Sequence, residues 1–282
     1  MAQFTNQAAL SYNGVRVLSN VTVGTLTEVL SVSKTVVEET YTTGGTLTYV
    51  VSLINSGSVA LNDLTITDDL GGYPFGEGTL YPLTYVEGSV KQYLEGVLVA
   101  SPVVAETTPL TFTGVGIPAG SEVILIYQAT VTEYAPLGEG ATIVNTVTAS
   151  GDGVEATASA TVNAENGPIL DIVKSVSPIP VVDNGLLTYT FLIQNFGAEE
   201  ATDAAKVVVS DTFNPVLTGL TAALDGVTLS PTTDYTYDEA TGEFETVAGV
   251  ITVPAATYSQ DPDTGAYTVT PGSVTLTVSG TI

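Results

Sequence analysis

The sequence predicts an all-β protein: a tandem repeat of one sandwich-sized domain, preceded by a β-hairpin. Three observations carry this. Thr, Val, Ile and Tyr dominate short alternating runs punctuated by 28 Gly and 14 Pro, and no long segment carries a 3.6-residue period. The stretch Phe4–Val23 alternates around Asn13-Gly14, the strongest short hairpin signal. The two halves of the 282-residue chain run in step, and the length suits two domains of ordinary size.

The hairpin comes first, as residues 1–23. Its pattern recurs in mid-chain as Ile143-Val-Asn-Thr-Val-Thr-Ala-Ser-Gly-Asp-Gly-Val154 and on to Val162. The copies align without a gap: Asn6 on Asn145, Gly14 on Gly153, Val15 on Val154, Val23 on Val162. A piece that closes a domain in mid-chain thus also stands alone at the N-terminus, which reads as a donor hairpin for a domain of another molecule. A linker over 24–29 leads to the first domain, 30–163, opening on the strand Leu30–Val36. A second linker over 164–169 leads to the second domain, 170–282, opening on Leu170–Val176. From these strands the halves match at an offset of 140 (174 − 34): Lys34 on Lys174, Gly45 on Gly185, Leu47-Thr-Tyr49 on Leu187-Thr-Tyr189, Asn55-Ser-Gly57 on Asn195-Phe-Gly197. After a small insertion, Thr65–Leu70 matches Val208–Phe213, and Val123–Val131 matches Val274–Ile282. Several strands per copy at this spacing are those of a β-sandwich.

The copies end differently. The first continues past Val131 to its closing hairpin, whereas the second stops at Ile282, the counterpart of Val131. What the second domain lacks, the N-terminus has in surplus. An open sheet edge over an unroofed core favours pairing with a matching strand. The short spacer after the hairpin places it at the outer end of the first domain, so donation is expected head-to-tail. A heterologous contact that does not close produces a filament, here a homopolymer.

Composition narrows the partners. Five basic residues against 30 acidic give a formal charge of −25, which excludes nucleic acid, since phosphate contacts need Lys and Arg. No apolar run is long enough for a membrane span, and no signal peptide is recognised; either the initiating Met replaces one or export does not use it. With no Cys there are no disulfides, thiolate sites or Cys nucleophiles. The acidic turns Gly151-Asp-Gly153 and Asp261-Pro-Asp263-Thr-Gly265 lack the ligand count of a Ca²⁺ loop, and Asp and Gly are default turn residues, so neither metal nor cofactor is expected. With no His to activate a Ser, and with Asp68 and Asp69 on opposite strand faces, an enzyme acting on an external substrate is not expected either.

Alternation places three polar residues inward, because alternate strand residues share a face. Lys34 shares its face with Leu30, Val32 and Val36; Lys174 with Leu170, Ile172 and Val176. Asp68 lies with Leu64, Ile66 and Leu70; Asp211 with Val207, Val209 and Phe213. Asn145 lies with Ile143, Val147 and Ala149; Asn6 with Phe4, Ala8, Leu10 and Tyr12. Buried unpaired, such groups cost several kcal/mol. One explanation is a buried Lys–Asp ion pair with Asn as a hydrogen-bond filler. The sharper one is an amide cross-link between Lys and Asn. Burial lowers an amine's pKa and raises a carboxyl's, so a neutral acid can polarise the Asn carbonyl while a neutral amine attacks and ammonia leaves. Two of the four lysines, Lys34, Lys91, Lys174 and Lys206, hold the repeated inward position, which favours the sharper reading.

The motifs Val32-Ser-Lys-Thr, Leu47–Gly57, Leu64-Thr-Ile-Thr-Asp-Asp-Leu70, Ile117-Pro-Ala-Gly120 and Val144-Asn-Thr-Val147 resemble the DUF11 conserved-repeat family. They also resemble the related fimbrial isopeptide-forming D2 (CnaA-like) domains of bacterial surface proteins. The resemblance covers nearly all of the first domain and half of the second. It implies Ig-like sandwiches on a bacterial surface, with Asp68 promoting a Lys34–Asn145 bond. In the second domain it implies Lys174 and the promoting acid Asp211; the Asn is absent there, and Asn6 of a neighbouring molecule occupies the matching position. No sorting motif follows Ile282, so sortase assembly is not supported. The expected role is a structural subunit of an extracellular fibre or pilus on the bacterial cell or, alternatively, on an endospore. The competing role is a cell-surface adhesin or carbohydrate-binding module, contacting a host surface or glycan through aromatics in Gly71–Phe75 and Tyr81–Tyr85.

Overall fold

A computed structural model describes residues 2–26 and 28–282, with the side chains of residues 2–4, 25 and 26 outside the description. Thr27 of the expected linker, and the side chain of Phe4 expected on the Asn6 face, therefore lie outside the described residues. The fold is all-β, with Ig-like sandwiches and a single short 3₁₀ turn, Asp203–Ala205, among the described residues. No helix among them is long and apolar enough to cross a membrane.

The N-terminal hairpin turns at Asn13 and Gly14, whose φ values of 44° and 79° are the left-handed pair a type I′ turn demands. Ala9–Tyr12 pairs with Val15–Leu18, and Ala2–Asn6 pairs with Thr22–Leu26. Pairing thus continues to Leu26, three residues beyond the expected end at Val23: Gly24 reads as a break in the sequence, but its backbone pairs with that of Phe4. Between the two paired segments, Ser19 holds Ala8 by its backbone N–H and its Oγ, both at 2.9 Å. Leu10 and Tyr12 are 65% and 56% exposed, so the expected inner face of this hairpin is in solvent.

The first sandwich packs two sheets. One runs, in spatial order, Val97–Val99, Lys91–Leu94, Glu122–Val131, Thr46–Asn55 and Leu30–Val36. The other runs Val103–Thr107, Leu110–Ile117, Leu61–Asp68, Thr142–Gly151, Val154–Ala164 and Thr40–Tyr41. Alternating residues fill the space between: Leu47, Tyr49, Val51 and Leu53 from one side, Leu64, Ile66, Phe112 and Val147 from the other, all buried.

The second sandwich repeats half of this plan. Leu170–Ser177, Leu186–Asn195, Gly272–Thr281 and Thr218–Leu224 form one sheet with Val227–Thr228, and Ser210–Thr212, Glu243–Thr246 and Tyr235–Tyr237 form the other. The registers of the repeats agree: Lys34 pairs with Val51 as Lys174 pairs with Phe191, and Leu53 with Val123 as Ile193 with Val274. The strand expected over 207–213 is shorter, Ser210–Thr212, because a ladder on one side only supports it. By Cα packing the chain divides into two compact units. One holds the residues up to Glu39, Gly44–Thr132 and Val144–Val162; the other holds Thr40–Thr43, Glu133–Ile143 and Asn163–Ile282.

The repeated Asn-x-Gly motif is a loop clamp. The buried Asn55 donates from Nδ2 to the carbonyls of Val59 (2.8 Å) and Ile117 (3.1 Å), and its Oδ1 accepts from Gly57 N–H at 2.9 Å. Asn195 repeats the pattern with Glu199, Pro254 and Gly197.

Candidate cross-linking sites

In the first sandwich, Lys34, Asp68 and Asn145 all face the core, and the side chains of Lys34 and Asp68 are wholly shielded from solvent. Lys34 comes from the edge strand of one sheet and Asp68 from the middle of the other. Their charges meet across the core, Nζ to Oδ2 at 2.5 Å. The strand bearing Asn145 pairs directly beside Asp68, Val147 opposite it, so Asn145 sits one same-face step further along. Asp69 points the other way, as alternation requires, and its carboxylate accepts from Thr146 N–H (2.8 Å) and Gly71 N–H (2.9 Å). Outward Asp69 thereby pins the Asn145 strand to the Asp68 strand.

Burial pulls the Lys34 ammonium below its usual pKa, and the Asp68 charge opposes this without overcoming it. Its Nζ lies 4.7 Å from the centroid of the Tyr49 ring. Asp68 Oδ1 accepts from Leu70 N–H at 3.0 Å, while Oδ2 accepts a short hydrogen bond from the Tyr127 hydroxyl as well as from Lys34. Burial, reinforced by Asp68, raises the Tyr127 pKa well above the ordinary tyrosine value; burial also raises that of Tyr49. The Asn145 carboxamide is near enough to both hydroxyls to act on them. Yet neither its Oδ1 nor its Nδ2 has a direct hydrogen-bond partner, nor does the Tyr49 hydroxyl. A buried carboxamide with both ends unpaired is costly as a structural filler.

Tyr127 escaped the sequence reading. A tyrosine on the inward face of a strand reads as packing, and only the register with Tyr49 and the crossing to Asp68 reveal its hydroxyl as a partner.

In the second sandwich, Lys174 and Asp211 again form a close ion pair, with Lys174 4.7 Å from the Tyr189 ring centroid. Here the site is open: their side chains are 42% and 18% exposed. Leu170 is 39% exposed where its counterpart Leu30 is 5% exposed. Asp68 has a strand on each side, Leu110 opposite it on one and Val147 on the other. Asp211 faces Phe244 on one side, and no described strand lies along its other edge. A cleft of about 540 Å³ adjoins Asp211, Glu243 and Glu245, and an apolar trough of about 230 Å³ runs along Leu170, Ile172 and Val207–Val209. Asn6, which aligns with Asn145, is exposed on the N-terminal hairpin, where its carbonyl accepts from Thr22 Oγ1 at 3.1 Å.

The aromatics weighed as a ligand platform are partly structural. Tyr85 is buried and packs edge-on against Phe112 with ring centroids 6.2 Å apart. The acidic turns spend their carboxylates on backbone N–H groups: Asp261 Oδ1 accepts from Asp263 and Thr264 within its own turn, and Asp152 accepts from Asn62 of a neighbouring strand.

No protein-family model and no curated protein matches the sequence. Among solved structures, the pilus backbone RrgB of Streptococcus pneumoniae aligns at 14% identity over 86% of this chain and 55% of its own, with a TM-score of 0.34. BcpA, the major pilin subunit of Bacillus cereus, aligns at 14% identity over 96% of this chain and 73% of its own, TM-score 0.36. A 35 kDa C-terminal fragment of the major pilin GBS80 of Streptococcus agalactiae aligns at 13% identity over 86% and 91%, TM-score 0.35. The chain thus spans about half the length of the first of these pilins. At such scores the likeness assigns no role, and membership in the DUF11 or D2 families stays a proposal carried by the motifs.

Proposed function

We propose that this chain is the structural subunit of an extracellular bacterial fibre that grows head-to-tail by strand donation and is sealed by Lys–Asn amide bonds. The observation that carries the reading is the contrast between the two sandwiches. One Lys–Asp pair is roofed by the strand bearing Asn145; its repeat lies open beside an unpaired edge, while a sequence copy of the roofing hairpin is displayed in solvent at the N-terminus. Transferring the register of the first domain puts Ala8 of the donor opposite Asp211 and Leu10 opposite Val209, with Asn6 one same-face step beyond, toward Lys174.

The chemistry is a single self-directed turnover. The Lys34 ammonium yields a proton to Asp68, and the free amine attacks Asn145 Cγ. A Cγ–Nζ bond forms as the Cγ–Nδ2 bond breaks. Ammonia leaves with one hydrogen of the former amine and, as ammonium, takes the proton Asp68 held, which returns the carboxylate. Exclusion of water keeps the amine nucleophilic and spares the intermediate from hydrolysis. In the second domain Lys174, Asp211 and Asn6 of the next subunit take the same parts.

Denaturing electrophoresis after boiling, with intact mass, tests this on wild type and Asn6→Ala. The expected result is a boiling-resistant ladder in wild type and, in the variant, a monomer one ammonia lighter than its sequence. A wild-type monomer of full calculated mass refutes the cross-links. Negative-stain images showing no filaments from that sample would refute strand donation too.

A further inference from the structure

Besides the openness of the second site, the two Lys–Asp pairs differ in one hydroxyl. In the first domain Tyr127 pairs in register with Tyr49; in the second, the residue paired with Tyr189 is Val278. Three neighbours are kept: a lysine 4.7 Å from a tyrosine ring centroid, its carboxylate partner, and a backbone N–H on the carboxylate Oδ1, from Leu70 in one case and Thr212 in the other.

Resting on the amide-bond reading above, we propose that the Tyr127 hydroxyl relays the proton between Asp68 and the Asn145 carboxamide, and that the intermolecular bond, made beside Val278, forms without this relay and more slowly.

The geometry supplies the Asp68 end of the relay and an unpartnered carboxamide at the other. Asp68 Oδ1 is occupied by Leu70 N–H, so the proton taken from Lys34 resides on Oδ2. The Tyr127 hydroxyl is bonded to that same oxygen. A hydroxyl both donates and accepts. While Oδ2 is charged, Tyr127 donates to it; once Oδ2 is protonated, it donates to the Tyr127 oxygen, freeing the phenolic hydrogen for Asn145 Oδ1, which has no hydrogen-bond partner; the Tyr49 hydroxyl is unpartnered as well and so is not joined to Asp68. On collapse of the tetrahedral intermediate the protons run back through Tyr127 to Asp68 Oδ2, and the departing ammonia takes the one held there as ammonium, so tyrosine and aspartate end as they began. The ring is held for this task, stacked on Tyr49 (centroids 5.7 Å apart) and edge-on to Phe112 (5.5 Å). Tyr127 and Asp68 are both buried, so no bulk solvent competes as proton carrier.

The test follows the full chain during cell-free synthesis, on an Asn6→Ala background that blocks the joint between subunits. A branched tryptic peptide joining the Lys34 and Asn145 segments is quantified against time, in H₂O and D₂O. Tyr127→Phe keeps the ring and its packing. It is expected to slow branching by at least about a hundredfold, the lower end of what a positioned proton-transfer group contributes, and to change the solvent isotope effect. Equal rates and isotope effects in Tyr127→Phe and its parent overturn the relay while leaving the cross-link standing. No branched peptide in the parent overturns the amide-bond reading itself. As a gain of function independent of the folding of Tyr127→Phe, Val278→Tyr in otherwise wild-type chain is expected to speed the Lys174–Asn6 bond by tenfold or more. An unchanged rate counts against the proposal.

Discussion

Leu10 tests strand donation quantitatively. It lies at 65% exposure on the hairpin, and its counterpart Ala149 is wholly buried opposite Ile66. Donation should therefore carry Leu10 out of water onto Val209. Leu→Ala removes three carbons, about 0.8 kcal/mol each when buried. Scaled by the surface still exposed in the free hairpin, the loss per joint is about 1.6 kcal/mol, roughly fifteenfold in affinity. The assay needs reversible assembly, so the parent is Asn6→Ala, which cannot seal. Its critical concentration is read by pelleting across a dilution series, with Leu10→Ala beside it. Ser11→Ala, on the outward face and aligned with Ser150, is the control and should match the parent. If Leu10→Ala assembles at the same concentration as the parent, or if Ser11→Ala shifts it equally, the aligned register is wrong.

Three further outcomes are expected. Asn145→Ala should restore the mass of the missing ammonia and lower the urea stability of the first domain by about 5 kcal/mol, the chain-entropy value for a tie closing a loop of this length; an unchanged midpoint counts against the bond. In that uncross-linked variant the lowered pKa of Lys34 means the unfolded chain binds the extra proton between the folded value and 10.5. Stability should rise with pH across that window relative to Asn145→Ala, Lys34→Met, and parallel pH profiles would contradict the burial argument. Asn55→Ala strands the Val59 and Ile117 carbonyls and the Gly57 N–H, which should cost about 3 kcal/mol by chemical denaturation. A loss below 1 kcal/mol would mean water replaces the clamp.

Much of this was legible because a strand's period of two is unforgiving. Once Leu30, Val32 and Val36 are inside, Lys34 is inside with them, and the same logic places Asp68 and Asn145. The repeat then carried the pattern to Lys174 and Asp211. What alternation cannot supply is pairing across the sandwich. Tyr127 is 59 positions from Asp68, and its role depends on two sheets meeting in one register. The Asn55 and Asn195 clamps matched between the repeats, yet their partners are loop carbonyls that no periodicity marks. Strand ends were missed where a neighbour decides them: Gly24 is held by the backbone of Phe4, and the Asp211 segment is cut short by having one neighbour.

The location of Lys34 and Asn145 has a mechanical consequence. They sit on the first and the last-but-one long strands of their domain, near where the chain enters and leaves it. With both proposed bonds made, tension applied along a fibre would pass from Asn6 through the backbone to Lys34, across the amide to Asn145, on to Lys174, and across the next amide into the following subunit. Residues 35–144 would hang outside that line as an unloaded loop and residues 175–282 as an unloaded branch, free of any requirement to resist pulling by their hydrogen bonds. The sandwiches would then shelter the ties while a continuous covalent thread bears the load, and the extension left to the fibre would come from the two hairpins that lie on that thread, within 6–34 and 145–174.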